Sequence, residues 1–129
     1  MDKSRWQRRV ALVEAIYSEF LCPQLKHPIG LEEWTDFEKK VFQNYLENKN
    51  KYIKLLNTYL KEGWEIDRLN TIASSILLEA ISEFNSLNTP PNILIEQSVK
   101  TAKNYCGENE YKLINGVLEN CLKNGAVNN

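Results

Sequence analysis

Apolar positions recur with a helical period along almost the whole chain. Ser4 is placed to cap a helix that runs to about Leu21. Trp6, Val10, Val13, Tyr17 and Phe20 fall on one stripe of it, broadened by Leu12 and Ile16. Pro23 stops this helix, and Cys22–Gly30, with two prolines and a glycine, reads as a loop. Thr35 and Glu38 have capping-box spacing and open a long helix to about Leu60. Phe37, Val41, Tyr45, Tyr52, Leu55, Leu56 and Tyr59 form its apolar side. Its polar run Glu47–Lys51 reads as an exposed stretch or as a kink, and Gly63 as a stop.

A further helix is expected over Asp67–Ser86, apolar on a wide face and therefore central and buried. Thr89-Pro90-Pro91 starts the next, which carries Ile95, Val99 and Ala102 and ends at Gly107. Asn109 is expected to cap a last helix through Leu113, Ile114, Val117, Leu118 and Cys121. Gly125 ends it, and the tail to Asn129 frays. No strand pattern competes. The expectation is an all-α single domain over residues 1–129, a compact bundle of about six or seven helices. Its core should include Val13, Ile16, Leu56, Ile76, Ala80, Val99, Val117 and Leu118.

Composition narrows the function classes. No apolar run is long enough to span a membrane, and the first residues lack the apolar stretch of a signal peptide, which points to the cytoplasm. Cys22, Cys106 and Cys121 are an odd number without CxxC spacing, so they read as buried thiols rather than a disulfide framework or zinc site. The single histidine, His27, has no evident catalytic partner. No phosphate-binding glycine loop and no nucleophile elbow occur, so no catalytic residue, metal or cofactor is expected and the chain reads as a non-enzyme.

A net charge of −1 leaves room for a local basic patch. Arg5, Arg8 and Arg9 have i, i+3, i+4 spacing and sit at a helix N-terminus, where the macrodipole disfavours them by about 0.3–1 kcal/mol each. Such a broken local rule flags function. Arg5 and Arg9 share the side of Leu12 and Ile16, and are expected near the edge of the body, where a partner is gripped. Lys49, Lys51 and Lys54 form a second basic cluster, which reads as a solvated face. Lys100 and Lys103 share one helix face, and Lys112 opens the last helix, so together they extend a possible phosphate surface. Asn115-Gly116 stands inside that last helix, where glycine costs about 1 kcal/mol relative to alanine. The pair calls for a close helix contact or an exposed backbone.

Four blocks in order carry a family resemblance. Arg8-Arg9-Val10-Ala11-Leu12-Val13-Glu14-Ala15-Ile16-Tyr17 looks like an arginine-rich start running into Gln-Ala-Leu-Tyr. Phe37 through Trp64-Glu65-Ile66-Asp67-Arg68-Leu69 is similar to a long helix followed by Trp-x-Leu-x-Arg-Leu. Ile76-Leu77 with Glu83 and Pro90-Pro91 forms the third block, and Ile95–Glu119, with Asn115-Gly116-Val117-Leu118, the fourth. Together they resemble the NusB family of transcription antitermination factors.

The resemblance implies an all-helical, NusB-like fold. It implies binding of boxA-type single-stranded RNA together with the ribosomal protein NusE, within the RNA polymerase antitermination complex, by a protein that is a monomer or homodimer when free. It assigns the RNA contacts to Arg5, Arg8, Arg9, Tyr17 and Lys112. The apolar stripe places Tyr17 in the core, whereas the family lets its hydroxyl reach RNA. The chain departs from the family at Leu113, where a phenylalanine is usual, at Ala73-Ser74, at Leu78, at Glu96-Gln97, and at Trp6-Gln7. Two other readings share the fold or its class: a stand-alone relative of the N-terminal part of ribosomal RNA cytosine methyltransferases, and a protein-binding helical module without RNA affinity.

Overall fold

The structure is a computed structural model and describes residues 2–24 and 28–123. Among these, the regular elements are five α-helices and two 3-10 turns, with no strand. The helices are α1 (Arg5–Leu21), α2 (Asp36–Asn57), α3 (Thr71–Leu87), α4 (Pro91–Tyr105) and α5 (Glu108–Lys123). The expected six or seven helices are thus five. Glu47–Lys51 does not break α2: the run holds no proline or glycine and lies within one continuous helix. The predicted start at Asp67 is a 3-10 turn, Ile66–Arg68; α3 itself begins after Asn70, whose side chain accepts from Ile72 N and Ala73 N.

Local chemistry fixes the ends. Ser4 and Gln7 close one capping box, and Thr35 and Glu38 another. The chain leaves α2 at Asn57 and turns through Gly63, whose φ of 88° suits glycine. Asn88 ends α3 at φ 56°. α5 opens at Glu108, ahead of the expected cap Asn109, with Gly107 N donating to Glu110 Oε1 at 2.9 Å. The predicted stop at Gly125, the frayed tail and His27 lie outside the described residues.

As expected, α3 is central: every residue from Ala73 to Phe84 is buried, and α1, α2, α4 and α5 all pack on it. α2 and α4 flank it, and α4 pairs in turn with α5. Of the expected core, Val13, Ile16, Leu56, Ile76, Ala80, Val117 and Leu118 are buried; Val99 is half-buried and faces a groove. The thiols differ from expectation, since only Cys121 is buried, Cys106 is half-buried and Cys22 is exposed. Burial pushes the Cys121 thiol up to about 11, which keeps it protonated and unreactive.

Candidate nucleic-acid interface

The three arginines at the start of α1 differ in burial and in partners, although the Arg5 and Arg9 guanidiniums both lie near the Phe37 ring. Arg5 is exposed, with its guanidinium carbon 4.1 Å from the centroid of the Phe37 ring on α2. Arg8 donates to Glu38 Oε2 at 2.9 Å. Glu38 is buried and also accepts from the Thr35 N–H and hydroxyl. Burial pushes the Glu38 carboxyl up, but the Thr35 and Arg8 hydrogen bonds outweigh it and hold the carboxyl below its usual range.

Arg9 is buried and makes a bidentate pair with Glu83 of α3, Nε to Oε1 at 2.9 Å and Nη2 to Oε2 at 2.8 Å. Its Nη1 reaches Gln97 Oε1 of α4 at 3.2 Å, and the Thr89 hydroxyl donates to Glu83 Oε2 at 2.7 Å. One side chain therefore ties α1 to α3 and α4. One turn before Glu83, Glu79 is also buried, and its Oε2 has no hydrogen-bond partner. Burial and then the Glu83 charge hold the Glu79 carboxyl well above its usual range, which favours its neutral form. Burial pushes Glu83 up as well, but Arg9, Glu79 and Thr89 pull it below its usual value.

Arg9 was expected near the edge of the body and lies inside it. The sequence pattern contained the reason: Arg9 is on the side of Leu12 and Ile16, both fully buried. The buried face of α1 is centred on Arg9, Leu12, Val13, Ile16 and Glu19, and Trp6 and Val10 sit at its margin. Glu19 is accommodated by Tyr45 and Lys49, whose hydroxyl and ammonium lie 2.5 and 3.1 Å from Oε1. Lys49 is accordingly engaged, although its cluster reads as a solvated face. Tyr17, on the same margin as Trp6 and Val10, is 37% exposed rather than in the core.

A different surface joins the two ends of the chain. The Trp6 indole N–H donates to Thr101 Oγ1 of α4 at 3.0 Å. Lys100 Nζ lies 4.3 Å from the Trp6 ring centroid, and Lys103 Nζ lies 5.1 Å from that of Tyr111 on α5. One residue further, Lys112 is exposed and pairs with Glu108 at 2.8 Å. Cations and rings therefore run from Trp6 along α4 to the start of α5, while Arg5 rests on Phe37 of α2. Between α4 and α5 lies an open groove of about 420 Å3, floored by Ile95 and Val99 and edged by Lys100, Lys103, Asn104 and Asn115, with Glu96 at its side.

A second, apolar groove of about 330 Å3 separates α1 from the ends of α3 and α4. Val10, Val13, Ile72 and Thr101 line it, with Tyr17 and the half-exposed Tyr105 at its lip. Among the described residues, no three His, Cys, Asp or Glu side chains gather as a metal site, and no helix is long and apolar enough to cross a membrane.

Comparison with known proteins fits this architecture. The model of the NusB family matches residues 8–123. The chain belongs to the NusB family. The transcription antitermination protein NusB of Listeria welshimeri is 31% identical over 111 residues, covering 85% of this chain and 86% of that protein. The protein of the same name from Finegoldia magna is 32% identical over 89 residues, covering 68% of this chain and 64% of its own length, so the match spans less than two thirds of that relative. Among solved structures, T. maritima NusB superposes with a TM-score of 0.82 at 25% identity, over 95% of this chain and 93% of that one. The NusB fold thus accounts for the packing of α1 to α5 around a buried α3.

Proposed function

We propose that this NusB-family chain is a non-enzymatic, cytoplasmic transcription antitermination adaptor that binds boxA-type single-stranded RNA together with NusE. The observation that carries the reading is the run of cations and aromatic rings from Trp6 through Lys100 and Lys103 to Lys112, with the exposed Arg5 on Phe37 at the start of α1. Single-stranded RNA needs cations that track its phosphates and ring faces on which bases stack. Lysines parked on rings serve both needs: moving the ammonium to a phosphate uncovers the ring.

Arg5 and Lys112 are proposed as direct phosphate contacts. Arg8 and Arg9 serve the site by fixing the start of α1, through Glu38 and Glu83. Tyr17, beside Tyr105 on the apolar groove, is assigned to the protein partner, whose side chains suit such a lining better than phosphates do.

The test is RNA binding with and without the host's NusE at two salt concentrations. Binding that tightens with NusE and weakens with salt supports the reading. A stable NusE complex with no affinity for RNA replaces it with a protein-binding module.

A further inference from the structure

Among the described residues, six large hydrophobic side chains are exposed, and four of them, Tyr17, Leu21, Ile29 and Tyr105, gather around the second half of α1. Tyr17 and Tyr105 stand at the lip of the apolar groove between α1, α3 and α4. Ile29 belongs to another groove, of about 250 Å3, between α1 and the chain from residue 28 to 34. Leu21 lies one turn beyond Tyr17. Glu14 and Ser18 line both grooves and so form the ridge between them. Single exposed apolar side chains are ordinary, but a cluster rimmed by polar residues marks a contact surface.

We propose that the outer ridge of α1, from Glu14 to Leu21 with the groove on either side, docks a basic segment of the protein partner, with apolar side chains in the grooves and a lysine or arginine at Glu14. The inference rests on the adaptor reading above and names the partner chemistry of its protein-binding face. Charge selects the occupant. Glu14 is exposed and forms no ion pair among the described residues. Among those residues, no lysine or arginine lines the apolar groove, and Lys3, at the second groove, is drawn to Glu33 at 3.7 Å. A phosphodiester meets a carboxylate here instead of a cation. A lysine or arginine finds the reverse: Val10, Val13 and Ile72 cover its apolar stem, and Glu14 with the tyrosine rings at the lip receives its charge. The two ligands are thereby kept apart, phosphates on the cations of α4 and the start of α5, the basic protein on the ridge of α1.

Three exposed positions test the ridge. Glu14→Lys, Leu21→Ser and Tyr105→Ala are measured for affinity to the host's NusE, for binding of a boxA-type RNA oligonucleotide without NusE, and for thermal unfolding. NusE affinity is expected to fall roughly tenfold or more for Glu14→Lys, and most at low salt. For Leu21→Ser and Tyr105→Ala it is expected to fall roughly three- to tenfold, alike at low and high salt. These two variants should leave RNA binding and the unfolding temperature of the free chain unchanged. NusE affinity unchanged in all three variants overturns the docking ridge, while the complex of the unaltered chain keeps the adaptor reading. Loss confined to Leu21→Ser and Tyr105→Ala overturns the basic occupant. RNA affinity lost in those two variants, with the fold intact, gives the grooves to RNA and overturns the proposal. A free chain that is dimeric by light scattering and monomeric in the variants gives the ridge to a second copy, which also overturns it. Failure of the unaltered chain to bind NusE removes both readings.

Discussion

Arg9 and Arg5 are one helical turn apart and do opposite work. Arg9 is buried, bidentate on Glu83 and bonded to Gln97; Arg5 is exposed and rests on the face of Phe37. The same contrast separates Lys49, drawn to the buried Glu19, from Lys100 and Lys103, which lie over rings at the surface. A cation faces inward where a carboxylate on another helix lies within reach inside the core. It stays outward where only a ring face is offered. Spacing along one helix cannot reveal this, since the deciding residue is 74 positions away.

The largest effect should follow from breaking the inner set. Arg9→Ala strands Glu83 beside Glu79 and is expected to cost about 3–5 kcal/mol of stability, read from chemical denaturation. The double variant Arg9→Met with Glu83→Gln should recover much of that loss, because it removes both charges of the buried pair. A loss under about 1 kcal/mol in the single variant would put Arg9 in the same class as Arg5.

The carboxyls sharpen the contrast through pH. Glu38 and Glu83 are held below their usual values, so their contribution is present above the ordinary carboxylate range and is lost as pH falls. Glu79 is held above it, so its contribution is complete in acid and is lost as pH rises toward its raised value. Glu79→Gln, which keeps a neutral donor, should therefore gain stability relative to the parent as pH rises above the ordinary carboxylate range toward the raised value. A denaturation midpoint difference that stays flat with pH would show that Glu79 is charged in the fold.

Smaller effects belong to the outer set. Arg5→Glu should change stability by less than about 1 kcal/mol, the value of an exposed cation–π contact. It should weaken many RNA sequences alike and lower the log–log salt slope by roughly 0.7. Smallest is Leu113→Phe, which offers the half-buried start of α5 a ring. It should strengthen RNA binding by about 1 kcal/mol without altering the salt slope. If Arg5→Glu is silent in RNA binding, the exposed end of α1 is only a solvated helix terminus.

Most of the helical plan was legible in the chain. Apolar periodicity placed the body of all five helices, and the capping boxes at Ser4 and Thr35 marked two starts within a residue. The wide apolar face of α3 announced its central position. The misplaced features had polar causes. Asn70 caps α3 three residues after the expected start at Asp67, and Glu47–Lys51 is polar but helical. The inward turn of Arg9 and Glu19 was hidden because periodicity counts polar residues as outward, and their partners Glu83 and Tyr45 are on other helices. For the site, Arg5 and Lys112 could be singled out from sequence. The lysine–ring stacking that links them could not, since Trp6 and Lys100 are distant in sequence and adjacent only once α1 lies on α4.

The long reach of α1 also bears on the order in which the protein is made. Its more distant fastening points, Glu83 and Thr101, lie 74 residues beyond Arg9 and 95 beyond Trp6. At a synthesis rate of about 5–20 residues per second, α1 leaves the ribosome roughly 4–20 s before they exist. α2 with α3, and α4 with α5, can associate as neighbours in sequence, the second pair across a connection of only Cys106 and Gly107. α1 can meet α2 early, through Glu38, Tyr45 and Lys49, but until α3 emerges Arg9 has no carboxylate of that helix to hold it.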